Sequence, residues 1–185
     1  MATLFIALIH HPVLNRNGRI VTSAVTSLDL HDIARSSRTY GVRAFYVVHP
    51  IAEQREFAAS VIAHWNEGYG RAFDHRRREA LGLVRIVATL DEAMADAESI
   101  CGARPLVIHT SARTSDGTGY DELRARLEAP GAPPAMILLG TGFGLAPEVA
   151  RQADIELAAI QGQSDYNHLS VRAAASVILD RLRGR

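Results

Sequence analysis

The chain of 185 residues has no lysine, one cysteine and one tryptophan, and each shortage closes off a class of function. All 20 basic residues are arginine, and they balance 20 acidic residues, so no overall basicity draws the chain onto nucleic acid and any RNA contact must be local. Cys101 by itself can build neither a disulfide framework nor a cysteine zinc site. The eight histidines form no HExxH or other metal-ligand spacing, and His10 and His11 before Pro12 read as a strand-end turn, so no metal is expected. Long apolar runs are missing as well. None approaches the ~20 residues a membrane helix needs, and the start, "MATLFIALIHHPV", is too short and lacks the basic leader of a signal peptide. The expectation is therefore a cytoplasmic protein with no membrane role. Linkers and low-complexity blocks are also absent, which implies one domain over residues 1–185.

What the chain does have is a regular alternation. Short apolar runs at 4–9, 44–48, 84–89, 105–110, 135–140 and 154–160 are the length of strands. Between and after them lie helical stretches at 28–41, 50–66, 74–82, 90–102 and 120–128, and a last helix closes the chain. This order predicts an α/β fold, a mainly parallel sheet with helices on both faces. Ligands in such sheets sit beyond the carboxyl ends of the strands. That rule selects three loops, "HTSAR" (109–113), "GTGFGLAP" (140–147) and "QGQSDYNHLS" (161–170), all in the second half of the chain.

The glycines Gly140, Gly142 and Gly144 follow a strand and precede a helix that Pro147 can open. Their spacing is GxGxG, late in the chain and with no acidic residue at the end of a second strand about 20 positions on, which argues against a dinucleotide fingerprint. A tight turn would account for them, but a loop that lets a flat ligand approach the backbone is the preferred reading. His109, Thr110, Ser111 and Arg113 end the strand before; Ser111 lacks GxSxG surroundings, so a hydrolase nucleophile is not supported. The last helix buries Val171, Ala174, Ala175, Ile178 and Leu182 at the 3.6-residue period. Its entrance is crowded: Ser164, Asp165, Asn167, His168 and Ser170 compete for a cap that needs one side chain.

The helix "LDLHDIARSSRTYG" turns Leu30, Ile33, Ala34 and Ser37 inward, with Asp29 or Ser27 available as its cap. His31, Arg35 and Arg38 are left near the strand ends or in solvent. Two arginines a turn apart suit phosphate, because each guanidinium is a planar fork of donors. The densest basic segment, "RAFDHRRRE" (71–79), fits an RNA-tracking strip and a plain charged helix face equally.

Together, "DLHDIARSSRTYGV", "ILLGTGFGL" and "AAIQGQSDYNHLSVRAAASVIL" resemble the motifs of the SPOUT superfamily of S-adenosylmethionine-dependent RNA methyltransferases, in particular a small stand-alone bacterial branch. Arg35 and Gly41 keep the spacing of the first motif of the ribose-methylating branch, while Asp29 and His31 stand where that branch has asparagine and glycine. The resemblance implies a C-terminal trefoil knot over about 105–183 that gathers the three loops into one pocket for S-adenosylmethionine. Backbone groups of Leu139, Gly140, Ile160 and Leu169 would hold adenine, and Thr110, Gly144, Asn167 and Ser170 the ribose and methionine parts. Ser111, Gly142, Leu145, Gly162 and Tyr166 complete the implied cofactor set. Arg35, Asp165 and His168 are the implied catalytic groups, acting on a ribose 2′-hydroxyl or a base nitrogen of tRNA or rRNA. A homodimer is also implied, with Leu30, Ile33 and Ser37 opposite residues 173–182. The competing expectation is a catalytically silent knotted module that only binds S-adenosylmethionine or RNA.

Overall fold

A computed structural model describes residues 1–67, 74–164 and 166–185. Asp165 and residues 71–73 of the basic segment lie outside the described residues. The chain runs β1 (Leu4–Ile9), β2 (Val13–Leu14), β3 (Ile20–Val21), α1 (Ser27–Thr39), β4 (Ala44–Val48), α2 (Ala52–Asn66), α3 (His75–Leu81) and β5 (Val84–Val87). It continues with α4 (Leu90–Cys101), β6 (Leu106–Thr110), α5 (Tyr120–Glu128), β7 (Ala135–Gly140), α6 (Pro147–Ala150), β8 (Ile155–Leu157) and α7 (Val171–Arg183).

Six strands form one sheet in the order β5-β4-β1-β7-β6-β8, and every pairing in it is parallel. Central β1 is buried along its whole length, and its side chains alternate between two cores as the pleat demands. Leu4, Ile6 and Leu8 join Leu30, Ile33, Leu123, Ile178 and Leu182 on the face covered by α1, α5 and α7. Phe5, Ala7 and Ile9 join Ala93, Ala97, Met136 and Val149 on the face covered by α4 and α6. The α/β class and parallel sheet expected from the alternation are what the chain adopts.

Three local expectations are corrected, and one element is added. The run 84–89 pairs only to Val87, because the Thr89 side chain leaves the strand to accept from Glu92 N and start α4. The run 154–160 pairs only over Ile155–Leu157, since β8 is an edge strand whose chain then turns into the loops. A small antiparallel pair, β2 with β3, had no alternating signal long enough to reveal it. The cap of α1 is Thr26, not Ser27 or Asp29: its hydroxyl accepts from Asp29 N at 3.2 Å and donates to the Asp29 carboxylate at 2.7 Å.

The expected pairing surface between chains is also corrected. Leu30, Ile33 and Ser37 are fully buried inside this chain. Helices α1 and α7 are joined within it, Ser36 to Ser176 by a 2.7 Å hydroxyl contact and the Tyr40 hydroxyl to Asp180 at 2.9 Å. Leu30, Ile33 and Ser37 are core, whereas Ala173, Ser176 and Val177 of α7 are only partly buried.

Candidate active site

A cleft of ≈ 560 Å³ opens beyond the carboxyl ends of β6, β7 and β8. Its first wall is the turn after β7. Gly140 must be glycine, because a Cβ there would stand 2.8 Å from Leu145 N. Gly142 has φ +62° and lies so close to the β2 end that a Cβ would meet the Leu14 carbonyl at 2.9 Å. Hydrogen bonds from Phe143 N to Leu14 O, and from Leu14 N to Gly144 O, both 2.9 Å, clamp this turn to β2.

The loop after β6 supplies the second wall and runs alongside the chain leaving β8, joined to it by a parallel bridge between Thr118 and Leu157. Thr118 N donates to Glu156 O at 2.7 Å, Ala158 N to Thr118 O at 2.9 Å, and Ala159 N to Thr114 O at 3.2 Å. The two segments approach so closely that a Cβ on Gly117 would sit 2.6 Å from Ala158 N. The entrance to α7 forms the third wall, tied to the second by Asn167, whose Nδ2 donates to Ala112 O at 3.1 Å. Among the polar residues competing at that entrance, Ser170 is the cap, accepting from Ala173 N at 3.2 Å. Asn167 is therefore released from capping and bridges two loops of the cleft.

A flank of the cleft comes from the first half of the chain. Ala24, Thr26 and Asp29 line it together with Arg172 from α7. Asp29 is 6% exposed, and its Oδ1 accepts from Arg172 Nη1 at 3.2 Å. The same guanidinium reaches Asp32 through Nε at 3.3 Å. Asp29 is the one carboxylate lining the cleft among the described residues.

Under the turn lies a partly buried polar chain that starts at the buried His10. His10 Nδ1 is 2.9 Å from Ser23 Oγ, and Ser23 Oγ makes a short contact with the hydroxyl of Thr141, which lines the cleft and donates to Ile9 O at 3.3 Å. Burial pushes the His10 pKa down from 6.5 to about 4, assisted by neighbouring His49 and opposed by Asp29. His10 is thus neutral at physiological pH. One consistent proton order runs from His10 to Ser23, then to Thr141 and the Ile9 carbonyl, leaving Thr141 a lone pair for a ligand donor. Next to Thr110, His109 is also held below its ordinary pKa by burial, against the raising effect of Glu156.

The cleft gathers most of the positions singled out in the sequence: Thr110, Ser111, Leu139, Gly140, Gly142, Gly144, Ile160, Asn167, His168, Leu169 and Ser170. Leu145 is instead core beneath the turn. Gly162 and Tyr166 are exposed and do not line the cleft. Arg35 does not line it either: it is exposed on α1, six residues after Asp29 and on the side of α3 and Asp74. Thr141, Ala158 and Arg172 are lining residues that sequence reasoning did not assign. Thr141 lies inside the glycine turn, and Arg172 lies beside the apolar stripe of α7.

This set of groups suits S-adenosylmethionine. Leu139, Ile160, Leu169 and Ile178 offer apolar surface for a purine, Thr110, Thr141, Asn167 and Ser170 offer hydroxyl and amide groups, and the cleft has the size of a small-molecule site. Residues 3–184 match the family of SAM-dependent RNA methyltransferases, and the chain belongs to that family. It is 42% identical over 181 residues to a protein of Oleidesulfovibrio alaskensis named tRNA (guanine-N(1)-)-methyltransferase, covering 98% of this chain but 42% of that protein. An uncharacterised protein of Aquifex aeolicus is 41% identical over 183 residues, which cover 98% of this chain and 89% of the other. The solved structure of a putative methylase family protein from Neisseria gonorrhoeae has the same fold, with TM-score 0.67, 20% identity and coverage of 100% of this chain and 83% of that one. The chain thus spans about two fifths of the length of the first of these relatives, and the activity in that relative's name belongs to the longer protein.

Proposed function

We propose that this chain binds S-adenosylmethionine in the cleft and transfers its methyl group to RNA in the cytoplasm. The observation that carries the reading is the convergence of the β7 turn, the β6 loop and the α7 entrance on one cleft, where Arg172 of α7 meets a buried carboxylate, Asp29, from the first half of the chain. Leu139, Gly140, Ile160 and Leu169 line the adenine end, and Thr110, Gly144, Asn167 and Ser170 the ribose and methionine end. The bound sulfonium supplies the reactive methyl; the protein contributes alignment and a proton acceptor.

RNA meets the protein on the side of α3. Arg76 and Arg78 are exposed there with no acidic partner among the described residues, and Arg77 stacks over Trp65 at 4.5 Å from the ring centre. Arg35 belongs to this face as a phosphate contact instead of acting at the reacting atoms. His168, at the cleft, remains a proton-handling group of the proposal, as does Asp165. A second copy of the chain covers the exposed apolar residues Leu28, Phe143, Tyr166 and Leu169, each a lining residue or a sequence neighbour of one. Light scattering tests the pairing, and a monomer at micromolar concentration would remove it.

Calorimetry with S-adenosylmethionine, its demethylated product and NAD tests the cleft, and incubation with unmodified total RNA followed by nucleoside mass spectrometry tests the transfer. Binding without any methylated nucleoside would leave the silent cofactor-binding module as the function. Preference for NAD would overturn both.

A further inference from the structure

We propose that Asp29 and Arg172 together read and deprotonate a lactam edge, so that the methyl acceptor is a ring N–H beside a carbonyl, as in guanine N1 or uracil N3, and not a ribose hydroxyl. This rests on the cleft being the methyl-transfer site proposed above. Asp29 is fixed from both sides: Oδ2 accepts from the Thr26 hydroxyl at 2.7 Å and Oδ1 from Arg172 Nη1 at 3.2 Å. Each carboxylate oxygen still has a lone pair to offer. Arg172 is held in turn at Nη1 by Asp29 and at Nε by Asp32, with no partner for Nη2 among the described residues. The cleft wall therefore presents an acceptor and a donor side by side, both preorganised. A lactam edge is the complement, an N–H beside a C=O. A ribose hydroxyl has no adjoining carbonyl for Arg172, and it is too weak an acid for a carboxylate to deprotonate.

Fastening α1 to α7 does not by itself account for the pair. Ser36 with Ser176, and Tyr40 with Asp180, already join these helices farther along. An ion pair with one buried and one partly exposed partner adds little net stability, because desolvation of the carboxylate offsets the attraction and solvent screens the arginine. At the cleft it has a chemical use.

In the step, the ring nitrogen's electron pair forms the new bond to the methyl carbon. The carbon–sulfur bond breaks with its electrons staying on sulfur, which becomes a neutral thioether. The ring proton passes to a carboxylate oxygen of Asp29 and later to solvent. Arg172 stabilises the negative charge that builds on the adjoining carbonyl oxygen.

The experiment uses the full chain and total RNA from cells lacking its gene. Nucleoside mass spectrometry of wild-type product should show a methyl on a lactam nitrogen, and alkaline hydrolysis of that RNA should run to mononucleotides. Asp29→Asn should slow single-turnover methylation by about 100-fold or more, in line with loss of a positioned proton acceptor. Its calorimetric affinity for S-adenosylmethionine should stay within about twofold of wild type, because the cofactor complex does not depend on the proton transfer. If Asp29→Asn does not fold, Asp29→Glu, which keeps the charge but displaces the oxygens, should show a rate loss at unchanged affinity. An alkali-resistant 2′-O-methylated dinucleotide would overturn the proposal, as would a wild-type rate in the variant. A tenfold or larger fall in cofactor affinity (about 1.4 kcal/mol) would overturn it too, by making Asp29 a cofactor ligand. A wild-type protein that fails to bind S-adenosylmethionine sinks the proposed function itself, whereas binding with a ribose product sinks only this inference.

Discussion

Acidification should destabilise this protein through His10, and the amount can be worked from the structure. His10 is wholly buried, and its pKa is held at about 4 against an ordinary 6.5. Above pH 6.5 the imidazole is neutral in both folded and unfolded chains, so the fold keeps its full stability. Between pH 6.5 and 4 the unfolded chain binds a proton that the folded chain refuses, so stability falls as pH falls. The gap corresponds to about 3 kcal/mol, a large part of the ~5–15 kcal/mol that holds a typical domain together. His31, His49 and His109 are displaced in the same direction, each mainly by burial, and add to the loss. Urea denaturation at several pH values between 7.5 and 4.5, on wild type and His10→Asn, isolates the contribution. The substituted amide can still donate to Ser23, but it has no proton to gain. The stability difference between the two proteins should narrow, or turn in favour of the variant, as pH falls through this window. A difference that stays constant from pH 7.5 to 4.5 would refute the argument that burial keeps His10 neutral.

Four other outcomes follow from the geometry. Asn167→Ala should weaken S-adenosylmethionine by about tenfold, the scale of one hydrogen-bonding group, because it removes the tie to Ala112 O and an amide facing the cleft; unchanged calorimetric affinity would take Asn167 out of the site. Gly142→Ala should cost about 1–2 kcal/mol from its left-handed backbone alone, with more from the clash at the Leu14 carbonyl, and so lower both the melting temperature and cofactor affinity. Replacing Arg76 and Arg78 by alanine should weaken RNA binding and flatten its salt dependence by about one log unit for each phosphate no longer neutralised, while cofactor affinity holds; Arg35→Ala should act through RNA affinity in the same way, and a loss of turnover at saturating RNA would return Arg35 to the reacting centre.

Much of the molecule is determined locally and is therefore legible in the sequence. The runs "LFIALI", "AFYVV" and "AMILLG" are short and apolar on both faces because both faces of a parallel sheet are covered, and their alternation with helices is enough to set the fold class. Gly140, Gly142 and Gly144 announce a turn that no side chain fits, and the surplus of polar residues before α7 marks a second role for Asn167. Tertiary structure alone decided the rest. Residues 24–29 and 172 meet at the cleft across more than 140 positions, and an arginine on a helix surface carries no sign of which distant carboxylate it will face. The same blindness applied to α1: its apolar stripe indicates burial but not the partner, so a seam between two chains and a core within one read alike until packing against α7 distinguished them. Arg35 and Asp29 lie on one helix at spacings that fit either role, and only the helix's rotation about its axis, fixed by Leu30 and Ile33 in the core, turned the carboxylate to the cleft and the arginine to solvent.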